Sequence, residues 1–216
     1  MRALIHHIYY DEATRQSLDP AFTPLDNTAN PRPDWYEFWV IRDYLKTHTL
    51  ENDAWYGFLS PQFTAKSGFT SAYVMAELAA HADHDVALFT VGWEQLAYFQ
   101  NPFEQGEMWH PGLRDLSQQF LDSIGLAVDL KQLVTHTLTS VFSNYIVAKP
   151  VFWRAWLLLA DQFFDWVETN AGSAVNGQTT YGEAVQGIER LAPMKTFIQE
   201  RLASIVLSQQ SFKVFA

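Results

Sequence analysis

Apolar residues along the first half of the chain alternate between short runs and helical spacing. The runs at 3–10 (ALIHHIYY), 53–63 (DAWYGFLSPQF) and 86–91 (VALFTV) have the length and the β-branched and aromatic content of buried strands. Residues 35–48 and 70–82 instead place apolar side chains three and four positions apart, as amphipathic helices do. This order of strands and helices predicts an α/β domain.

The second half continues the pattern with longer helices. Helices are predicted over 112–126, 150–168 and 190–209, because apolar residues recur there at helical spacing. Residues 139–150 (TSVFSNYIVAKP) carry the β-branched and aromatic residues of a strand that stops at Pro150, and 212–215 (FKVF) predicts a short last strand.

Three segments are predicted to contain loops. Residues 11–34 hold four prolines, 93–112 starts helical and ends in a loop rich in Pro and Gly, and 169–182 is a flexible or lid-like segment. Long loops in compact domains are usually functional. Asp34 is the expected N-cap of the helix that follows the first loop. The polar residues interpreted as ordering that loop are Asn27, Asp34 and Glu37.

Composition indicates a folded protein with one core. The chain has 216 residues, of which 48% are hydrophobic and 15% aromatic, so we expect a single domain over 1–216. No apolar stretch reaches the roughly 20 residues of a membrane-spanning helix, and the first residues lack the layout of a secretory signal. The cytoplasm is therefore the expected location. Cysteine is absent, which excludes disulfides and thiolate chemistry.

The charge balance argues against binding to nucleic acid. A formal net charge of −10 repels a long polyphosphate chain. A small anionic ligand such as a diphosphate remains compatible with this charge, because a few Arg, Lys and backbone N–H groups can hold it locally.

Most familiar catalytic motifs are missing from the sequence. There is no GxGxxG, GxxxxGK[ST], GxSxG or HExxH pattern, which weighs against Rossmann dehydrogenases, P-loop enzymes, α/β-hydrolases and zincins. The segment HADHD holds His81, Asp83, His84 and Asp85. It comes just before a strand, whereas ligands of α/β sheets bind where strands end, so a solvated connection is the favoured interpretation.

Several blocks of the sequence resemble bacterial glycosyltransferases that build O-antigens and capsules. The blocks are the strand end Gly57–Phe63, the segment Asn144–Trp156 and the triplet Glu200, Arg201 and Leu202. The stretches LDPAFTPLDN and NPFEQGEMWHPG are similar to parts of sugar-transfer domains from polysaccharide gene clusters. The order of these blocks covers most of the chain.

The resemblance implies a single Rossmann-like domain of the GT-A type, with a mixed sheet flanked by helices. Residues 1–100 would bind a nucleotide-diphosphate sugar, and residues 101–216 the acceptor. Most such enzymes carry an Asp-x-Asp pair that binds a divalent cation at the diphosphate. Here Ser60 and Gln62 occupy that place. The domain is therefore expected to need no metal, with Mn²⁺ or Mg²⁺ as the alternative, or else to be non-catalytic.

The candidate donor-binding residues lie at the predicted strand ends and among the nearby cations. Arg or Lys side chains would neutralise the diphosphate in place of the metal, and a tyrosine at the end of the first strand would stack on the base. The candidates are Tyr9, Tyr10, Arg32, Arg42, Ser60, Gln62 and Lys66.

Candidate catalytic residues fall in the segment FEQGEMWHPG. Sugar transfer needs a carboxylate or imidazole that takes the proton of the attacking hydroxyl, and Glu104, Glu107 and His110 are of those types. A polar loop anchored by aromatics is the structural alternative. The candidate substrate-binding residues are Trp109, Asn144, Tyr145, Glu200 and Arg201. Of the last two, which are adjacent on a helix, only one can readily face the site.

These features predict a hexosyltransferase-like enzyme of cell-surface polysaccharide synthesis. Its partners would be a nucleotide sugar and a glycan acceptor, with peripheral association with membrane-bound assembly machinery. The alternative is a non-catalytic carbohydrate-binding or scaffold domain of such a system. A third interpretation is an unrelated α/β domain whose aromatic residues form a protein interface.

Overall fold

The computed structural model describes residues 1–170, 172–181 and 190–216. The strands are β1 (Ala3–Tyr9), β2 (Thr23–Asp26), β3 (Trp55–Leu59), β4 (Val86–Leu88), β5 (Ile146–Ala148), β6 (Gln178–Thr180), β7 (Leu191–Pro193) and β8 (Val214–Phe215). The α-helices are α1 (Glu12–Gln16), α2 (Tyr36–Thr47), α3 (Phe63–Ser67), α4 (Ser71–Ala80), α5 (Pro102–Trp109), α6 (Leu113–Ser123), α7 (Pro150–Thr169), α8 (Met194–Gln199) and α9 (Leu202–Gln209). Short 3-10 turns occupy Pro33–Trp35, Trp93–Ala97 and Ala174–Asn176.

Six strands form one mixed sheet in the order β2-β1-β3-β5-β4-β8. Strand β5 runs antiparallel to both of its neighbours, and the other pairs are parallel. The carboxyl ends of β1, β2, β3 and β4 therefore share one edge with the N-terminal end of β5. Strands β6 and β7 form a separate antiparallel pair. The predicted α/β class, with a mixed Rossmann-like sheet flanked by helices, is confirmed.

Alternation along the strands buries both faces of the sheet. In β3, Tyr56 and Phe58 pack with α2 and α7, whereas Trp55 and Leu59 pack with α3 and α4 on the other side. Each face thus has its own apolar cluster, as expected for strands covered by helices on both sides. Many of the aromatic side chains of the protein lie in these clusters. Trp35, Trp55 and Trp156 are almost fully buried there.

A glycine lets the three central strands approach closely. A Cβ atom on Gly57 would lie 2.8 Å from Cγ2 of Val147 in β5 and 3.2 Å from Cγ2 of Ile5 in β1. Any side chain at this position would clash with these two β-branched side chains. The end of β3, which precedes Ser60, is held in place by this packing.

The first predicted loop, 11–34, contains regular structure that the sequence did not reveal. Asp11 caps α1 through a capping box with Thr14, and Thr23–Asp26 pairs with β1 as the strand β2. Pro24 made a strand unexpected there, but β2 is an edge strand, where a missing backbone donor is tolerated. Asp34 was also wrongly predicted as an N-cap: it lies in a 3-10 turn, and Trp35 occupies the N-cap position of α2.

Two segments of the second half also differ from the predictions. Most of the predicted loop 103–112 belongs to helix α5 (Pro102–Trp109), because Asn101 accepts hydrogen bonds from two backbone N–H groups and Pro102 occupies the first turn. The single helix predicted over 190–209 is wrong. Leu191–Pro193 pairs with β6, because a residue before proline favours extended backbone, and the helical part is divided at Glu200 and Arg201.

The remaining predicted elements are present with shorter strands. Helices α2, α4, α6 and α7 are confirmed, as are β1, β3, β4, β5 and β8. The segment predicted as a flexible loop, 169–182, contains a 3-10 turn and β6, and its residues Ala171 and Gly182 lie outside the described part of the chain. Within the described ranges, no helix combines the length and the apolar character needed to cross a membrane.

Candidate functional site

A cavity of about 650 Å³ opens at the shared edge of the sheet. It lies where β1, β2 and β3 end and where β5 begins, the position at which open α/β sheets bind ligands. Its lining comes from the strand ends, from residues before and within α2, from Lys66 of α3, and from the β6–β7 pair with α8. The cavity is large enough for a small organic ligand.

The strand ends form the floor of the cavity. Tyr10 follows β1, Ser60 and Gln62 follow β3, and Asn144 and Tyr145 precede β5. The hydroxyl groups of Ser60 and Tyr145 lie 3.3 Å apart and form a hydrogen bond. Tyr145 is buried, so this contact joins two strands directly beneath the cavity.

The segment before α2 and the first residues of this helix form one wall. Its lining residues are Asn27, Asn30, Pro33, Tyr36 and Glu37. Within the described ranges, Asn30 and Tyr36 are the non-glycine residues with positive φ, at 32° and 49°. Such conformations cost free energy and concentrate at functional sites. The side-chain oxygen of Asn30 is also buried without a hydrogen-bond partner in the described structure.

The opposite wall comes from the β6–β7 pair and α8. Its lining residues are Tyr181, Arg190, Leu191, Ala192, Thr196 and Glu200. The guanidinium of Arg190 lies 4.7 Å from the ring centroid of Tyr181. The hydroxyl of Thr196 is buried and has no hydrogen-bond partner in the described structure. A ligand with a polar group near Thr196 would satisfy it.

Two carboxyl groups, Glu37 and Glu200, and two cations, Lys66 and Arg190, determine the charge inside the cavity. Burial raises the pKa of Glu200 to about 7, with the charge of Glu37 as a smaller contribution in the same direction. Burial also raises the pKa of Glu37. For Lys66, burial lowers the pKa, but Tyr145, Tyr181 and Glu200 outweigh it, and the pKa stands above its usual value. Near neutral pH the cavity therefore contains a carboxyl group able to exchange a proton beside a fixed positive charge.

Comparison with known proteins gives information about the fold through a similar solved structure. No protein-family model matches the chain, and a search of curated proteins finds no match. Among solved structures, the chain is similar to the apo structure of WbbM, a bifunctional glycosyltransferase, with a TM-score of 0.53 at 12% sequence identity. The likeness covers 100% of this chain and 44% of that one. The chain has a glycosyltransferase-like fold.

Within this glycosyltransferase-like fold, the cavity brings together part of the residue set predicted from the sequence. From the donor-binding candidates it contains Tyr10, Ser60, Gln62 and Lys66. From the substrate-binding candidates it contains Asn144, Tyr145 and Glu200. Asn27 and Glu37, interpreted from the sequence as residues that order the loop, line it as well.

The predicted catalytic residues lie on or after α5, outside this cavity. Glu104 accepts a hydrogen bond from the backbone N–H of Gln100 at 2.7 Å. Both carboxylate oxygens of Glu107 accept backbone N–H groups, of Gly112 and Arg114, at 2.8 Å. These carboxylates stabilise the start of α5 and the turn into α6. They are placed by local backbone bonding, and α5 contributes no residue to the cavity lining.

His110 is likewise engaged in packing. Its ring is buried and stacks on Phe197 at 3.7 Å between centroids, and its Nδ1 lies 3.4 Å from Oγ1 of Thr179. Burial, and to a smaller degree the charge of Arg201, lowers the pKa of His110 to about 4. The imidazole is neutral over the physiological range and lies outside the cavity lining.

Three other predicted residues also lie elsewhere. Trp109, at the end of α5, is 60% exposed, and Tyr9 is buried in β1. Arg201 is buried and donates to the carbonyls of Pro102 and Phe197 and to the side chain of Gln105. Of the adjacent pair Glu200 and Arg201, one faces the cavity and the other fastens α5 to the break between α8 and α9.

The two arginines among the donor-binding candidates form ion pairs away from the cavity lining. Arg42 donates to Asp161 of α7 at 2.5 Å, and Arg32 donates to Asp34 and Glu168. Arg190 is the arginine that lines the cavity, and the sequence did not single it out. Tyr36, Tyr181 and Thr196 were not predicted either. None of these residues lies in a segment where the sequence indicates the end of a strand.

The described residues contain no group of three or more His, Asp or Glu side chains arranged to hold a metal ion. In the segment 81–85, Asp85 accepts from the backbone of Lys213 and Asp83 from its ammonium group, so these acids join β4 to the last strand. At the end of β3, Ser60 and Gln62 offer neutral oxygens. This set does not fit a cation held by paired carboxylates.

Proposed function

We propose that the chain is a glycosyltransferase that moves a sugar from a nucleotide-diphosphate donor to a glycan acceptor. The observation that carries the proposal is the position of Glu200 and Lys66 in a cavity at the carboxyl edge of the sheet. The fold supports it, because the chain is similar to part of WbbM, which is described as a bifunctional glycosyltransferase. The GT-A assignment and the link to O-antigen or capsule synthesis rest on the sequence resemblance, as does a peripheral association with membrane-bound assembly machinery.

The cavity has room and surfaces for a nucleotide sugar. Tyr10, which follows β1, and Tyr36, at the start of α2, offer aromatic faces on which a base or sugar ring would stack. Asn27 and Asn30 place amide groups nearby. Aromatic faces combined with a few amides are typical of sites that bind flat or ring-shaped ligands.

Lys66 and Arg190 are the cations that we assign to the diphosphate. Both line the cavity, and the pKa of Lys66 is raised, so its ammonium remains charged. In transfer, negative charge builds up on the departing diphosphate, and fixed cations stabilise it. These two side chains would take the place of a divalent cation, which makes the reaction independent of metal.

Glu200 is the group that we assign as general base. Its carboxylate would take the proton of the acceptor hydroxyl while the hydroxyl oxygen forms a bond to the anomeric carbon. The bond from the anomeric carbon to the phosphate oxygen breaks, and its electron pair leaves with the diphosphate. A carboxyl group with a pKa of about 7 is well matched to this step near neutral pH.

A thermal-shift screen tests the proposal. The protein is mixed with UDP, GDP, CMP and TDP and their common sugar conjugates, with Mn²⁺ or with EDTA. A ligand at about one hundred times its dissociation constant should stabilise by roughly 2.7 kcal/mol. We expect one nucleotide sugar to do so in EDTA, and Lys66→Met to abolish the shift. Lys46→Met is the matched control, because Lys46 pairs with Asp161 outside the cavity lining.

The same screen evaluates a non-catalytic carbohydrate-binding or scaffold domain. Four tyrosines among the lining residues favour sugar binding as such: Tyr10, Tyr36, Tyr145 and Tyr181. If no nucleotide or nucleotide sugar shifts the melting temperature, the transferase proposal fails. Stabilisation by a polysaccharide alone would then identify the domain as a glycan-binding module.

A further inference from the structure

A buried lysine lies behind the wall of the cavity. Lys195, in α8, is 3% exposed, and its ammonium donates to Oδ2 of Asp34 at 2.6 Å. The same ammonium lies 4.4 Å from the ring centroid of Trp35. A buried cation needs such a partner, since an unpaired charge away from water is strongly unfavourable.

The ion pair is part of a larger network around the turn Pro33–Trp35. Arg32 donates to both carboxylate oxygens of Asp34 at 3.1 Å and to Glu168 of α7 at 2.8 Å. The indole of Trp35 donates to the same Glu168 at 3.2 Å. Burial opposes ionisation of Asp34, but its hydrogen bonds from Arg32 and Lys195 outweigh this and lower its pKa to about 2. The turn is thus fixed to α7 on one side and to α8 on the other.

This network adjoins the strained part of the cavity wall. Tyr36 follows the turn directly, with φ 49° and ψ −138°, and Glu37 comes next. A tyrosine keeps such a conformation only where the surrounding contacts hold it. On the other side, Thr196 directly follows Lys195, and Glu200 lies five residues after it; both line the cavity. One ion pair therefore spans two walls.

We propose that Lys195 and Asp34 are positioning residues, whose ion pair keeps Tyr36 and Glu37 in place opposite Thr196 and Glu200. Neither residue lines the cavity. Their effect on a ligand is exerted through the wall residues that follow them in the chain. The part of this proposal that concerns ligand affinity rests on the proposed function, whereas the part that concerns the order of residues 33–37 does not.

Asp34→Asn tests the proposal against a matched control, Asp161→Asn. Both aspartates are partly exposed and pair with a buried cation, Lys195 in one case and Arg42 in the other, but the Arg42–Asp161 pair joins α2 to α7 and involves neither the turn Pro33–Trp35 nor α8. Hydrogen–deuterium exchange is measured across the chain. Asp34→Asn should accelerate exchange in residues 33–37 by about tenfold or more, while Asp161→Asn should leave that segment at the wild-type rate. Equal exchange of the segment in wild type and Asp34→Asn would overturn the proposal.

A double variant guards against simple unfolding. Asp34→Asn with Lys195→Met removes both charges, so no unpaired buried cation remains. The double variant should regain most of the melting temperature that Asp34→Asn loses. Hydrogen–deuterium exchange in residues 33–37 should still be fast. Slow exchange in the double variant would overturn the proposal.

Binding is then measured with whichever of UDP, GDP, CMP or TDP stabilises the wild type. We expect the affinity of the double variant to fall by about tenfold or more, with Asp161→Asn close to wild type. Wild-type affinity in the double variant would overturn the role in binding. If no nucleotide binds the wild type, the proposed function fails, and the exchange experiment still decides whether the ion pair positions the wall.

Discussion

The imidazole of His7 holds the backbone carbonyl of Ser60 at the floor of the cavity. Its Nδ1 accepts the backbone N–H of Asp19 at 3.1 Å, which places the ring proton on Nε2, and Nε2 then donates to the Ser60 carbonyl, also at 3.1 Å. Burial lowers the pKa of His7, so the neutral form persists. A histidine of β1 thus fixes the residue that follows β3.

Replacing this histidine should loosen the cavity floor. His7→Phe keeps the edge contact with Phe22 but removes both hydrogen bonds, and we expect a loss of about 1–3 kcal/mol in the free energy of unfolding. Urea denaturation measures it. His7→Gln retains a donor and an acceptor and should lose less. Equal stability of His7→Phe and His7→Gln would show that the two hydrogen bonds are unimportant.

Glu200→Gln should lower turnover and raise stability. The amide cannot take a proton, so turnover should fall by about one hundredfold or more in a sugar-transfer assay. Stability should change in the opposite direction. The folded pKa of about 7 exceeds the usual 4.5, so burial of the ionised group costs stability increasingly as pH rises from 4.5 to 7. At pH 8 the variant should be more stable by about 1–3 kcal/mol.

Two other glutamates make this result specific. Glu51→Gln alters an exposed ion pair with Arg2 and should leave turnover unchanged. Glu107→Gln tests the sequence-based choice of catalytic residue directly. Loss of turnover in Glu107→Gln, with normal turnover in Glu200→Gln, would place the chemistry at α5 instead of the cavity.

Gly57→Ala should destabilise the sheet. The new methyl group would lie within 3.0 Å of a β-branched side chain, Val147, in the middle of the core, and overpacking of this kind costs about 1–3 kcal/mol. Gly172→Ala is the matched control, since no atom of the described residues lies within 4 Å of its added Cβ. Thermal unfolding of the two variants measures the difference. Equal melting temperatures would mean that the side chains of Val147 and Ile5 can make room for the methyl group without cost.

The helices and central strands could be predicted because their apolar spacing is set by the same core that buries them. Helix α7 and strand β3 follow directly from periodicity. Helix α5 could not be predicted, because Gly106 reads as a loop residue. In the structure, a Cβ there would lie 2.8 Å from Nε of Arg201, so the glycine makes room for a side chain 95 positions away in the chain. That reason is tertiary and leaves no local signal.

The candidate site also contains residues that could be predicted from the sequence and residues that could not. Ser60, Gln62 and Tyr145 were accessible to prediction because strand ends can be located from the sequence and share an edge of the sheet. Arg190 and Tyr181 reach the cavity through the β6–β7 pair, which lies outside the main sheet. Choosing Lys66 over Arg32 and Arg42 required knowledge of the ion pairs that occupy both arginines.

Acid should destabilise the protein through its buried histidines. His6 is buried in β1 with neither ring nitrogen hydrogen-bonded in the described structure, and burial, with a smaller contribution from His48, lowers its pKa to about 4. The unfolded chain takes up a proton near pH 6.5, whereas the folded chain does so only near pH 4. The stability from this group is therefore complete above pH 6.5 and is lost as pH falls from 6.5 to 4, with about 2 kcal/mol lost at pH 5.

His6→Phe isolates this effect. The phenyl ring retains the packing against Phe58 and Tyr44 but cannot take up a proton, so the difference in unfolding free energy between pH 7.5 and pH 5 should shrink by about 2 kcal/mol. His110→Phe should act in the same direction, because burial also lowers the pKa of His110 to about 4. Urea denaturation at the two pH values measures both. An unchanged pH dependence in His6→Phe would mean that the folded protein accommodates the His6 imidazolium. Water or a rearranged side chain would then have to reach the ring nitrogens of His6.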